Sequence, residues 1–145
     1  MPTDHLSLAK TNLAYAKLTA TPTGTAWSQA YNAGNLFACL SLTVATEEEN
    51  HESLQSLGKN LFNNLEAEFF TLEEKNLATI KEAIAKSTKH IPKGIAVNFC
   101  LVFFKNNLLY LFIVGRGRVI MKRGTKLGIL LEQAEETTEN IKTAS

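Results

Sequence analysis

Ile95-Ala-Val-Asn-Phe-Cys-Leu-Val-Phe-Phe-Lys-Asn-Asn-Leu-Leu-Tyr-Leu-Phe-Ile-Val114 is the stretch on which the fold turns. Its strongly polar residues are Asn98, Lys105, Asn106 and Asn107, and three of these four fall together at its centre. At mid-bilayer a Lys-Asn-Asn triplet costs several kcal/mol on insertion scales. Between two apolar runs the same triplet is good turn chemistry, so the stretch reads as a β-hairpin, with strands over 95–104 and 108–114, and not as a membrane span. Both strands are apolar on both faces. Such a pair must be covered from two sides, so a helical layer on one side requires a second sheet layer or a partner on the other.

Downstream, Gly115-Arg-Gly117 makes a corner, followed by strands over 118–123 and 126–131. Residues 132–145 are polar, with Ile141 as their one large apolar side chain, and read as a tail or linker. Upstream, strands are expected over 7–20, 25–32 and 35–44, separated by Thr21-Pro-Thr-Gly24 and Ala33-Gly34. Between the two β regions lie two helices. Thr46-Glu-Glu-Glu49 and Thr71-Leu-Glu-Glu74 fit the capping box. Each precedes a helical period: Leu54, Leu57, Leu61, Phe62, Leu65 and Phe69, then Leu77, Ile80 and Ile84. Lys86, Lys89 and His90 complement the second helix's negative end, and Pro92 with Gly94 stops it. The expected architecture is α+β: a layered sandwich of antiparallel β-sheets with a helical hairpin packed on one face, one domain over 1–131 and a polar tail over 132–145.

With 145 residues, 45% hydrophobic and 20% charged, the chain is globular in composition and of single-domain size. A net charge of +1 supplies no field for gathering nucleic acid or anionic lipid. Of the 14 acids only Asp4 is an aspartate, and none lies between Asp4 and Glu47. Hard-cation and phosphoryl-transfer sites hold their metal mainly with carboxylates, Asp above all, so this composition argues against both. Cys39 and Cys100 are far apart, each in an apolar run without Cys-x-x-Cys spacing, and read as small buried residues. The Met1-Pro-Thr-Asp-His5 start has no secretory signal pattern, so a cytoplasmic location is expected.

His5, His51 and His90 are isolated from one another and do not converge as zinc ligands. The glutamates around His51, at 47–49 and 52, read as charge complementing a helix N-terminus. No serine sits in a nucleophile elbow. An N-terminal-nucleophile hydrolase is disfavoured, because Met1-Pro2 supplies no nucleophile after processing. Trp27, Phe69-Phe70 and Phe103-Phe104 read as core. Arg116, Arg118, Lys122, Arg123 and Lys126 follow one another with no acid among them, beside Gly115 and Gly117. They suit an anion or an acidic partner, or else form the solvated edge of a sheet, facing the acidic start of the first helix.

The segment order from Leu36 to Leu131 resembles the metal-dependent serine/threonine protein phosphatases, the PPM or type 2C family. Asn107-Leu-Leu-Tyr-Leu-Phe-Ile-Val-Gly-Arg-Gly-Arg-Val-Ile-Met-Lys-Arg-Gly124 resembles that family's Leu-Tyr strand running into Val-Gly-Asp-Ser-Arg and an Arg-x-Gly hairpin. Leu109, Tyr110, Val114, Gly115, Arg118 and Arg123 carry the match. Gly94-Ile-Ala-Val97 is similar to the family's Gly-Thr-Thr-Ala strand, and Leu36-Phe-Ala-Cys-Leu-Ser-Leu42 to its Leu-Phe-Ala-Val-x-Asp-Gly strand. The departures fall on the chemistry. Ser41 and Leu42 stand where the resemblance implies a metal-binding Asp-Gly, Arg116 and Gly117 stand for Asp-Ser, and the family's later half has no counterpart after Leu131.

The resemblance therefore implies a truncated, non-catalytic module, a pseudophosphatase, with no catalytic residue, metal or cofactor. Its expected interaction surface is Arg116, Arg118, Lys122 and Arg123, and its expected partner is a protein or a second copy, with no nucleic acid and no membrane insertion. The alternatives are a small-molecule or anion sensor using the Gly115 to Arg118 corner, and the cytoplasmic head of a larger membrane-anchored protein.

Overall fold

A computed structural model describes residues 14–46, 52–134 and 141–145. The elements are β1 (Ala26–Ala33), β2 (Leu36–Val44), α1 (Leu54–Phe70), α2 (Leu77–Thr88), β3 (Ile95–Lys105), β4 (Leu108–Val114), β5 (Gly117–Arg123), β6 (Lys126–Gln133) and β7 (Ile141–Ala144). They form a five-stranded sheet in the order β1-β2-β3-β4-β7 and a two-stranded sheet β5-β6, antiparallel throughout. This is the expected α+β sandwich, and the deciding hairpin turns at Asn106 and Asn107, with Asn106 at φ 57°; Lys105, expected in the turn, is the last residue of β3 and pairs with Leu108.

Strand alternation assigns the two faces. On β2, Leu36, Ala38, Leu40 and Leu42 are buried and cluster with Phe99, Leu101 and Phe103 of β3, Phe112 of β4 and the apolar stripes of both helices. Cys100, Val102, Leu109, Leu111 and Ile113 belong to the opposite face, covered by Val119 of β5 and Leu131 of β6. The second layer demanded by the doubly apolar strands is thus the β5-β6 hairpin. It covers β3 and β4 and leaves much of the outer face of β2 open: Cys39 is exposed in mid-strand. Its own far end reaches into solvent, with Leu127 72% and Ile129 55% exposed.

Both helix starts differ from the sequence expectation. The cap of α1 is Ser53, whose side chain accepts from the Ser56 N–H at 3.1 Å; residues 47–49 of the expected first box lie outside the described residues. Thr71 is the C-cap of α1 and its hydroxyl donates to Ala67 O at 2.8 Å, so it cannot open the next helix. The cap of α2 is Asn76, in a reciprocal box with Thr79. Asn is a stronger cap than Thr, and here a Thr does the returning that a Glu or Gln usually does.

Two further expectations are corrected. The strand placed over 7–20 makes no ladder across 14–20, where the side chains are exposed; residues 7–13 lie outside the described residues. Its alanines offer little apolar area, and the segment meets the sheet through Tyr15, edge-on to Phe37 of β2 at 5.5 Å, without strand pairing. At the other end, the boundary at Leu131 fails: β6 continues to Gln133, and β7 pairs with β4 from Val114↔Ile141 to Leu111↔Ala144. Ile141 is 7% exposed, within the helix-side core. Without β7 the buried end of β4 would present an unpaired edge, and backbone pairing plus one anchoring isoleucine is enough to recruit a short polar strand.

Candidate functional site

The corner between β4 and β5 is where the emptied positions meet. Ser41 of β2 pairs directly with Asn98 of β3, and the Asn98 Oδ1 accepts the Arg116 backbone N–H at 2.7 Å. From the other side the Gln133 Nε2 donates to Gly115 O at 2.8 Å. Gly115 sits at φ 70° against β3, and a Cβ there would overlap Val97 O and the Asn98 Oδ1. Two strands, β3 and β6, therefore fasten this turn through backbone and carboxamide groups. Asn98, noted in the sequence only as a polar interruption, is its central acceptor.

Arg118 makes a two-point contact with Glu132 of β6, from Nε at 3.1 Å and from Nη2 at 3.3 Å. The two side chains are 54% and 40% exposed, so the pair contributes at most about 1 kcal/mol. Glu132, which the sequence reading assigned to the tail, is the acid that this strand faces. The expected alignment of the basic segment with the start of α1 is corrected: β5 packs on the sheet face opposite the helices. Arg116 and Arg118 lie at the corner. Lys122 and Arg123 lie at the hairpin's far end, opposite Leu127 and Lys126, about 13 Å along β5 from Arg118 at ~3.3 Å per residue. The four cations thus form two separate groups on one hairpin.

The donor set at the corner does not fit the metal ions that the resemblance implies. Among the described residues no three His, Cys, Asp or Glu side chains come together as a metal site. Leu42 is fully buried toward the helices, the Asn98 oxygen is committed to a backbone N–H, and Arg116 and Arg118 add positive charge where a dication would need carboxylates.

A second constellation lies on the same outer face. Cys39 and Cys100 are direct cross-strand partners on β2 and β3, and they line a recess of about 350 Å³ together with Tyr15, Lys17, Phe37 and Arg118. A hydrogen bond from the Cys100 thiol brings the Cys39 thiol down to about 7, against the opposing effect of partial desolvation by its neighbours. Holding its proton on Cys39 pushes the Cys100 thiol well up, and its own burial adds to this. The reading of two unrelated buried cysteines is therefore corrected: they are adjacent, Cys39 is exposed and Cys100 half-buried. Nothing in their spacing signals this, because the pairing depends on the β2–β3 register across the intervening helical hairpin.

No protein-family model and no curated protein matches the chain. Among solved structures, it is similar to the PPM Ser-Thr phosphatase MsPP from Mycobacterium smegmatis in complex with cacodylate, with TM-score 0.53 and 12% identity, covering 72% of this chain and 45% of that one. It is also similar to the catalytic domain of the serine threonine protein phosphatase PstP in complex with 2 manganese ions, with TM-score 0.53 and 15% identity, covering 79% of this chain and 50% of that one. The fold resembles that of the PPM phosphatases, and the chain spans about half the length of these two structures.

Proposed function

We propose that this chain is a non-catalytic PPM-phosphatase-like module that acts by binding a protein partner, with the β5-β6 hairpin as its contact surface. The observation that carries the reading is the corner itself. Where the resemblance implies metal-holding Asp side chains, Ser41 and Arg116 stand instead, and the Arg116 backbone N–H is taken up by the Asn98 carboxamide. Fold does not bring activity with it, and hydrolysis by two metal ions depends on ligands that these positions lack. The exposed Arg118, Lys122 and Arg123 edge of β5, next to exposed Ile120, Leu127 and Ile129, combines charge with apolar area in the way a protein-binding edge does.

Two measurements test the reading. Hydrolysis of p-nitrophenyl phosphate with Mn²⁺ should stay at the level of buffer and metal alone; turnover proportional to protein and abolished by Arg116→Ala would overturn the non-catalytic part. A quantitative pull-down should enrich a specific protein, and the enrichment should vanish when Arg116, Arg118, Lys122 and Arg123 are all changed to Ser. A stability increase with a small anion, lost in Arg116→Ala with Arg118→Ala and unaccompanied by protein capture, would favour the sensor reading instead.

A further inference from the structure

We propose that Cys39 and Cys100 form a dithiol site at which a hydroperoxide closes an intramolecular Cys39–Cys100 disulfide. Three geometric observations carry this, and none depends on what the corner binds.

The first is register. Cys39 and Cys100 are directly opposite on adjacent antiparallel strands. In the same ladder the Phe104 N–H donates to Asn35 O at 3.1 Å and the Ala45 N–H donates to Gly94 O at 2.8 Å. Hydrogen-bonded and non-hydrogen-bonded pairs alternate between these ends, which places Cys39 and Cys100 at a hydrogen-bonded pair, with Cα atoms about 5.5 Å apart. That separation lies within the range that disulfides span. The β-carbons of such a pair sit farther apart than a relaxed disulfide wants, so the product bond is readily reduced.

The second is access. Cys39 is exposed because the β5-β6 layer stops short of it, and a recess of about 350 Å³ opens over both sulfurs, large enough for a small peroxide. The third is confinement of Cys100. A Cβ on Gly117 would strike the Cys100 sulfur, so β5 closes that side and the opposite side faces Cys39. The exposed thiol attacks and the half-buried one resolves. The depressed Cys39 thiol supports this order, since the thiolate is the nucleophile.

In the first step the Cys39 thiolate attacks the terminal peroxide oxygen. The O–O bond breaks, the alkoxide or hydroxide leaves and takes a proton from solvent, and Cys39 becomes a sulfenic acid while the peroxide is reduced by two electrons. The Cys100 sulfur then attacks the Cys39 sulfur: the S–S bond forms, the S–O bond breaks, and the departing hydroxide leaves as water with the Cys100 proton. The sum is two thiols plus one hydroperoxide giving one disulfide, one alcohol (water, for hydrogen peroxide) and one water.

The test treats the reduced full chain with hydrogen peroxide near neutral pH, quenches with N-ethylmaleimide and maps both cysteines by mass spectrometry. The expected result is a monomer lighter by two hydrogens, with both cysteines protected together and released by dithiothreitol. In Cys100→Ser, dimedone should trap a sulfenic acid at Cys39. In Cys39→Ser, Cys100 should react about tenfold or more slowly than Cys39 does in the native chain. Persistence of both thiols at peroxide levels that consume free cysteine, cross-linking between chains only, or faster oxidation of Cys100 than of Cys39 would each overturn the proposal. Mapping of the unsubstituted chain decides the matter even if a variant folds poorly.

Discussion

Gly58 of α1 lies directly against the indole of Trp27 on β1, so closely that a Cβ at Gly58 would overlap ring atoms Cζ3, Cη2 and Cε3. This contact lets the helical hairpin settle onto the edge strand of the sheet, and both residues are buried. Gly58→Ala should therefore destabilise the fold, although alanine is the better helix former by about 1 kcal/mol. Overpacking of a closed interface costs about 1–3 kcal/mol. We expect a net loss of up to about 2 kcal/mol in chemical denaturation. With Trp27→Leu in the background the same substitution should become neutral or stabilising, a sign change that a double-mutant cycle reads directly.

The corner makes an ordering prediction. Asn98→Leu removes the acceptor for the Arg116 N–H and should cost about 1 kcal/mol, whereas Asn98→Asp keeps an acceptor in place and should cost less. Gly115→Ala should cost more than either, about 3 kcal/mol, because it combines a left-handed backbone with overlap onto Val97 O. Thermal melts should rank the variants in that order. Asn98→Leu as the most damaging of the three would mean that the turn is held chiefly by the carboxamide and not by the fit of the glycine.

How much of this was legible in the sequence depended on whether the signal was local. The β3–β4 hairpin, both helical stripes and the need for a second layer came from periodicity and turn residues within short windows. Helix caps were misplaced because Ser53, Thr71 and Asn76 are all competent capping residues, and only the tertiary path decides which of them starts or ends a turn. Strand β7 was missed because four residues with one isoleucine carry no periodicity; β4 recruits them. The Arg118–Glu132 contact and the Cys39–Cys100 pair are set by strand register, which the spacing of residues along the chain does not encode.

The thiol pair gives a pH prediction with a definite sign. Cys39 is lowered from 9.0 to about 7, so at pH 7 it is about half thiolate, against a few per cent for an ordinary cysteine of pKa ~8.5. Its iodoacetamide alkylation rate should titrate with a midpoint near 7, and in Cys100→Ala, where the donating thiol is gone, the midpoint should rise. Between pH 7 and 9 the unfolded chain holds a Cys39 proton that the folded chain has lost, so this group makes stability rise with pH across that window. Cys100 is raised, so above its ordinary value of 9.0 the folded chain keeps a proton that the unfolded chain loses, and its contribution falls. The pair alone therefore gives a stability maximum near pH 9. Denaturation midpoints across pH 6.5 to 10 in the native chain, set against Cys39→Ser, should show that maximum only in the native chain.

The last strand can be tested by its anchor. Ile141 is 7% exposed in the helix-side core and pairs with Val114, the buried final residue of β4. Ile141→Ala removes buried methyl groups at a cost of about 2–4 kcal/mol, which at roughly 3 °C per kcal/mol lowers the melting temperature by about 6–12 °C. Lys142→Ala, on an exposed position of the same strand, should change little. Hydrogen exchange distinguishes a lost side chain from a lost strand. If β7 is held by Ile141, the substitution should speed exchange of the amides of 111–114 on β4 and leave those of β1 and β2 protected. Unchanged β4 protection with an unchanged melting temperature would mean that 141–144 does not stay on the sheet in solution, and that β4 is the sheet's working edge.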